Sequence, residues 1–256
     1  MGARRPGAGS RISFFLAIVL AAPLWSEPPV PDFPSLSFPT PEKVIERVVD
    51  RIRGGDLAGV LEASAIGEQA GGYDFPAFSK RLSAMVLNTQ MAPAGPKLYD
   101  DINKLQLAWQ ISRQVKFFAF SFNGSEKADG KTVFLPPDDP KSNERINAFI
   151  ASVDPAKLAG LKIVKIARLG LEQTNERVKK NFSDQAKLYG ASELSERMVL
   201  YSLDGRYFCG GFSLIRYGTA WKLNGLYSTL GGTDASGSVT PSSPRDFDDA
   251  VAAVSQ

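Results

Sequence analysis

The chain has 256 residues, with 30 Lys plus Arg against 27 Asp plus Glu, one cysteine and no histidine. The absence of histidine excludes Ser-His-Asp and Cys-His catalysis and histidine-ligated zinc. The single cysteine, Cys209, excludes an intrachain disulfide and a four-cysteine metal site. We therefore expect ordinary core burial to hold the fold, with no metal and no cofactor.

The first 26 residues have the pattern of a secretory signal peptide. Arg4, Arg5 and Arg11 precede a 14-residue apolar run at 12–25, which is shorter than the roughly 20 residues of a membrane span. We predict a signal peptide over 1–26 and export to the periplasm or the outside of the cell. An uncleaved signal anchor, which would tether the protein to the membrane, stays open as the alternative.

Residues 1–26 hold three arginines and no acid, so the rest of the chain carries 27 basic and 27 acidic side chains. Nucleic-acid binding and electrostatic attachment to anionic lipid both need clustered positive charge. A balanced chain with interleaved charges has no such cluster. We therefore predict no nucleic-acid partner, and membrane contact only through an uncleaved leader.

Composition divides the rest of the chain into three parts. Residues 27–40 contain five prolines and predict an extended linker. Residues 41–230 predict a single α+β domain. Residues 231–256 are rich in Gly, Ser, Thr and Pro and predict a disordered tail, with a weak helix at 246–254.

The domain is predicted to start with helices. Thr40 has the pattern of an N-cap, and apolar residues then recur at three- and four-residue spacing as far as Gly54-Gly55. Asp56 is expected to cap a second helix, and Asp74 to precede a third that continues to residue 86. A fourth helix is predicted from Leu98, Ile102, Leu105 and Trp109.

The predicted elements then alternate along the chain. The aromatic run at 115–122 predicts a strand, which pairs with 131–135 across a loop. Helices are predicted at 143–153 and 173–189, with a strand at 162–169 between them.

Three β-rich runs close the domain, at 196–203, 206–216 and 219–228. Asp204-Gly205 and Tyr217-Gly218 separate them and predict tight turns, so the three runs predict an antiparallel meander.

Gly210-Gly211 in the middle run predicts a β-bulge or a sharp bend. Such a bend is either simple curvature of the core or the floor of an apolar pocket. Cys209 beside it is predicted to be a small buried hydrophobe rather than a nucleophile, because the chain has no histidine to activate it.

Four aromatic residues are candidates to line a pocket: Trp109, Trp221, Tyr201 and Tyr227. Of these, Trp221 is expected in the core, while the place of Trp109 stays open. No residue is predicted to be catalytic or to bind a metal, and the pattern identifies no ligand-binding residue.

Two stretches resemble the NTF2-like (SnoaL-like) superfamily. The opening PEKVIERVVDRIRGGDLAGVLEAS, at 41–64, is similar to the family's first helix, Gly-Asp break and second helix. The closing RYFCGGFSLIRYGTAWKLNGLYS, at 206–228, is similar to its last long strands. The resemblance implies N-terminal helices packed on a curved antiparallel sheet, in an NTF2-like cone with an apolar pocket. It implies no site residue, because the family's catalytic Asp/Tyr and His/Asp patterns match no residue here.

The family includes isomerases, dehydratases and many non-catalytic binding or dimerising domains. We expect an exported non-catalytic domain that binds an apolar small molecule or a partner protein in the cell envelope, with a homodimer as an open alternative. A histidine-free enzyme that uses pocket carboxylates or tyrosine, and a structural envelope component, are the competing functions. An enclosed polar pocket would favour the enzyme, a dry pocket the small molecule, and a filled core with an exposed apolar patch the protein partner.

The leader generates the first testable prediction. N-terminal sequencing of protein isolated from its native host should find a chain that begins near Glu27, because the apolar run is short and prolines follow it immediately. An intact chain recovered in the membrane fraction would show a signal anchor instead.

Overall fold

The computed structural model describes residues 33–123, 135–136 and 138–254, and its fold is α+β. Its helices are α1 (Pro41–Arg53), α2 (Leu57–Glu62), α3 (Ile66–Gly72), α4 (Phe75–Leu82), α5 (Lys97–Asn123), α6 (Lys141–Ser152), a 3₁₀ turn (Pro155–Gly160), α7 (Leu171–Thr174), α8 (Glu176–Lys187) and α9 (Pro244–Ala253). Its strands are β1 (Lys162–Arg168), β2 (Glu193–Leu203), β3 (Arg206–Tyr217), β4 (Ala220–Gly225) and β5 (Thr240–Ser242).

The strands form one antiparallel sheet in the order β1-β2-β3-β4, and β5 pairs with the first part of β3. The predicted meander is confirmed. β2 and β3 pair without interruption from Leu203 opposite Arg206 to the far end of both strands. The turn residues Asp204 and Gly205 have φ of 50° and 74°, the positive values that the tightest hairpin turns require at both central positions.

Helices cover both faces of the sheet. One face carries Tyr201 and Phe212 and packs in a single apolar cluster with α1 and α5. The opposite face packs against α8 through Leu194 and against α9 through Leu200 and Phe247. Successive strand residues point to opposite faces. Because nearly every residue of β2 and β3 is buried, both faces of these strands are covered.

The first helices form for local reasons that the sequence shows. The Thr40 hydroxyl accepts a hydrogen bond from the Lys43 backbone N–H at 3.3 Å, and the Asp56 and Asp74 carboxylates cap α2 and α4 in the same way. The caps predicted at Thr40 and Asp56 are confirmed, and Asp74, predicted only to precede its helix, caps it as well. The apolar stripe of α1 is buried against the sheet, where each fully buried Val or Ile contributes about 1.5–3 kcal/mol. The structure differs from the prediction at the end of α4. This helix ends at Leu82, four residues before the predicted end at residue 86, because Ser83 adopts a left-handed conformation.

The strand predicted at 115–122 is wrong, because these residues are the second half of α5. Ile111, Val115, Phe118 and Phe122 follow one another at spacings of four, three and four, which is one face of a helix. The helical spacing is difficult to recognise in the sequence because aromatic residues also occupy positions between these four. The strand partner predicted at 131–135 and the loop before it lie outside the described residues, apart from residue 135.

Of the two alternatives predicted at Gly210-Gly211, a bulge or a sharp bend, the bulge is absent. The register between β2 and β3 runs through both glycines without a shift. A Cβ atom at Gly211 would lie 2.4 Å from the backbone nitrogen of Ser228, and one at Gly210 would lie 2.8 Å from Cγ1 of Val239. The absence of side chains at the two glycines therefore leaves space for the segment 226–239. This segment crosses β3 between the residues that pair with β4 and the residues that pair with β5.

Residues 231–254, which the composition predicts to be a disordered tail, are folded in the structure. The weak helix is present as α9, and its Phe247 is buried against the sheet. Of the predicted linker, the described part includes Phe38, whose backbone exchanges two hydrogen bonds with Trp221 at 2.8 and 3.2 Å. The predicted leader and residues 27–32 lie outside the described residues.

The crossing at β3 generates the second prediction. Gly211→Ala should lower the free energy of unfolding by about 1–3 kcal/mol, because the new methyl group overlaps the backbone of Ser228. The control is Gly67→Ala in α3, where an added Cβ has no neighbour within 4 Å. Urea unfolding should show the control unchanged or stabilised by up to about 1 kcal/mol. If the two variants had equal free energies of unfolding, the crossing of β3 by the segment 226–239 would be contradicted.

Candidate functional site

The space between α5 and the sheet is filled by side chains. Tyr201 is fully buried, with its ring edge-on to the rings of Phe118 and Phe122 at centroid distances of 5.5 and 5.4 Å. Phe208 packs on Phe122 at 5.0 Å. Trp221 is buried in the same cluster, as expected from the sequence. Of the pocket candidates, Tyr201 and Trp221 are therefore core residues.

A small, largely enclosed cavity of about 50 Å³ lies between α3, α5, α8 and β4. Tyr227 lines it, beside a chain of hydrogen bonds in which Gln69 Nε2 donates to Asn224 Oδ1 at 2.5 Å and Asn224 Nδ2 donates to Ser213 Oγ at 2.8 Å. Burial raises the pKa of Tyr227 to about 12, so its phenol is protonated at neutral pH. The cavity has the volume of one or two water molecules, at about 30 Å³ each, and is too small for an organic substrate.

Two buried glutamates lie near the start of β2 and accept hydrogen bonds from the protein. Glu172 Oε2 accepts from Ser195 Oγ at 2.7 Å and from the Arg168 side chain at 2.8 Å, while its Oε1 accepts from the backbone N–H of Glu196. Glu196 Oε2 accepts from Ser228 Oγ at 2.8 Å and from the backbone N–H of Leu230 at 2.9 Å. These bonds give both carboxylates a structural role, which attaches α7 and the 226–239 segment to β2.

Within the described residues, no three acidic or cysteine side chains come together in a way that could hold a metal ion. Cys209 is buried, and burial raises the pKa of its thiol to about 11. A thiol with this pKa is protonated at neutral pH and reacts slowly.

A half-open groove of about 690 Å³ lies beside β5 and α9. Cys209, Met198 and Phe247 contribute to its walls, but Gly210 and Gly211 do not, because the 226–239 segment covers them. The pocket floor predicted at the two glycines is therefore absent, and the groove lies at the margin of the sheet rather than inside the fold.

The outer face of α5 carries an exposed apolar row, which we call the α5 stripe: Leu98, Ile102, Leu105 and Trp109. Their exposed fractions are 67, 46, 45 and 64%. The stripe lies on the side of the helix opposite to Ile111 and Phe118, which face the core. The predicted helix is confirmed, and Trp109, whose place the sequence left open, belongs to the surface.

The segment 83–96 lies along the first half of α5 and extends this surface. The Asn103 side chain exchanges two hydrogen bonds of 2.9 Å with the backbone of Ala92. The segment exposes Met85 by 68% and Leu87 by 73%, with Val86 between them. The stripe and these three residues together form what we call the apolar patch. Its seven residues are exposed by between 39 and 73%, and a concentration of exposed apolar residues is typical of an interaction site.

Cations border the stripe at its C-terminal end. The guanidinium of Arg113 lies 5.7 Å from the ring centres of both Trp109 and Phe117, and the Lys116 ammonium lies 5.0 Å from Phe117. Cation–π contacts at exposed sites contribute about 0.5–1 kcal/mol each. The contact of Arg113 with Trp109 restrains the ring at this end of the stripe.

No protein-family model and no curated protein matches the chain. Among solved structures, the chain is similar to a cystatin-like protein from Ruminococcus gnavus ATCC 29149, with a TM-score of 0.50 and 17% sequence identity. The match covers 88% of this chain and 45% of that chain, so this chain spans less than half the length of its structural neighbour. The likeness shows the fold, helices on a curved antiparallel sheet, and nothing about activity.

None of the helices in the described part of the chain combines the length and apolarity that a bilayer crossing needs.

The buried Glu196 generates the third prediction. Burial raises the pKa of its carboxyl above 4.5, and the nearby Glu172 adds to the rise, although hydrogen bonds from Leu230 and Ser228 oppose it. A carboxyl with a raised folded pKa binds its proton more tightly in the folded state. Its contribution to stability is therefore present below the unfolded pKa and is lost as the pH rises through the folded pKa.

Glu196→Gln should remove this part of the pH dependence. In urea unfolding from below pH 4.5 to neutral pH, the variant should gain stability relative to the wild type as the pH rises, because it buries no charge. Glu176→Gln, at an exposed position of α8, is the control and should follow the wild-type profile. A Glu196→Gln profile parallel to that of the wild type would contradict the argument.

Proposed function

We propose that this protein is an exported, non-catalytic domain that binds a partner protein in the cell envelope through the apolar patch. The observation that carries the proposal is the exposed α5 stripe beside a filled interior. The pattern of residues 1–26 supports export. The proposal also includes membership of the NTF2-like superfamily, supported by the order of α1, the Gly-Asp break and α2 and by the closing strands β3 and β4.

The chemistry of the patch describes the partner. Leucine, isoleucine, methionine and tryptophan side chains offer contact area but few hydrogen-bonding groups, so the partner must present an apolar surface of similar size. Trp109 has the properties of an anchor, because tryptophan is enriched among the residues that dominate binding energy. Arg113 holds its ring in place, which lowers the entropy lost on binding.

The interior does not favour the competing functions. Core side chains occupy the region where a cone-shaped fold would hold an apolar ligand, and the small polar cavity has room only for water. The buried carboxylates of Glu172 and Glu196 already accept hydrogen bonds from the protein, so they are poorly placed to serve as an acid and a base.

Photocrosslinking in the native host tests this function and is the fourth prediction. A photoreactive phenylalanine analogue in place of Trp109 should form an adduct with a second polypeptide, because this exposed position lies within the proposed contact. The same analogue in place of Val164, which is 49% exposed on β1, is the matched control and should form none.

A second change tests whether the adduct depends on the patch. Leu105→Asp should abolish the adduct at position 109, since it buries a carboxylate in the contact. Absence of an adduct at position 109, or equal adducts at 109 and 164, would refute the proposed function.

A further inference from the structure

We infer that the partner on the α5 stripe is a second copy of this chain, whose α5 packs antiparallel across a twofold axis. The inference rests on the proposed function and names its partner.

The spacing of the stripe is self-complementary. Leu98, Ile102, Leu105 and Trp109 are separated by four, three and four residues, so the row has the same spacing in both directions. A twofold interface uses the same patch on both copies, and the patch must fit its own inverse. Alternating steps of three and four are also the repeat by which two helices pack side chains into each other's gaps. Antiparallel pairing places Leu98 against the partner's Trp109, and Ile102 against the partner's Leu105.

Charge favours the antiparallel direction over the parallel one. Parallel pairing would place Arg113 and Lys116 beside the same cations of the second copy, and like charges at close range repel. Antiparallel pairing about the centre of the stripe separates the two Arg113 residues by about 28 Å along the helix axis, at 1.5 Å per residue. This distance exceeds the screening length of about 8 Å at physiological salt.

The N-terminal end of the stripe carries balanced charge. Lys97 forms an ion pair with Asp101, and Asp100 accepts a hydrogen bond from the backbone N–H of Gly95. A membrane-surface helix instead has a strongly basic polar face beside its apolar one. The mixed charges around the stripe therefore fit a second protein surface better than an anionic lipid surface.

The stripe offers apolar surface that a second copy would cover. Its four side chains are exposed by 45–67%, and antiparallel pairing would bury this surface on both chains. The helix offers a rigid, continuous backbone on which the stripe is already ordered, so little conformational entropy is lost on pairing.

Sedimentation equilibrium of the purified full chain, from about 1 to about 100 μM, tests the inference and is the fifth prediction. The wild type should approach twice the monomer mass. Leu105→Asp and Trp109→Asp should remain monomeric with an unchanged circular-dichroism spectrum, and Val164→Asp, the exposed control, should dimerise like the wild type. A wild-type monomer throughout, or a dimer that Leu105→Asp leaves intact, would overturn the inference.

Cysteine crosslinking tests the direction of pairing. A mixture of Ile102→Cys and Leu105→Cys chains should form a disulfide-linked pair on mild oxidation more completely than either variant alone, because antiparallel helices bring position 102 to the partner's 105. Crosslinking of each variant mainly with itself would indicate parallel pairing and overturn the proposed arrangement. The buried Cys209 is present in every sample, so the wild type gives the background.

The photocrosslink at position 109 separates this inference from the proposed function. An adduct of twice the chain mass supports both. An adduct of a different mass with a monomeric wild type upholds the proposed function and overturns the second copy. Leu105-dependent flotation of a monomer with phosphatidylglycerol vesicles, without any protein adduct, would overturn both in favour of a membrane surface.

Discussion

Most features of this structure follow from the way in which the second half of α5 packs on the sheet. Phe118 and Phe122 meet Tyr201 edge-on between the helix and β2, and they fill the interior of the fold. An interior packed to normal density has no space for a ligand. Because one side of α5 is committed to this core, the apolar residues on its other side must face outward, and the most distinctive surface of the molecule is a consequence of how its core is filled.

The same helix also organises the C-terminal part of the chain. The Gln114 side chain accepts a hydrogen bond from the backbone N–H of Leu226 at 2.8 Å and donates one to the carbonyl of Ala235 at 3.2 Å. Ser121 accepts a hydrogen bond from the backbone N–H of Val239 at 2.9 Å. A segment rich in Gly, Ser and Thr buries little apolar surface of its own, so side chains from α5 supply the bonds that offset its loss of conformational entropy.

Buried charge at the start of β2 joins the sheet to α1 and to α7. The Arg197 guanidinium donates to Glu42 of α1 at 2.8 Å and to Ser195 Oγ at 2.6 Å, and Ser195 in turn donates to Glu172. Such a network contributes little net stability, because desolvation of the charges offsets their attraction. Removal of a single member would leave an unpaired buried charge, which costs about 3–5 kcal/mol. The network therefore specifies how the elements are arranged more than how tightly they hold together.

Features that depend on neighbouring residues could be predicted from the local sequence pattern. The caps at Thr40, Asp56 and Asp74 and the Asp204-Gly205 turn act within a few residues, so the N-terminal helices and the meander follow from the local pattern.

Features that depend on contacts between distant segments followed only from the packing of the folded chain. α5 has apolar residues at helical spacing on two faces, and only the fit of Phe118 and Phe122 against β2 and β3 selects the face that is buried. The role of Gly210-Gly211 could not be predicted for the same reason. The residues that contact them, Ser228 and Val239, lie 17 or more residues further along the chain. The candidate interface was thus present in the sequence as a row of apolar residues, but its exposure is a property of the folded packing alone.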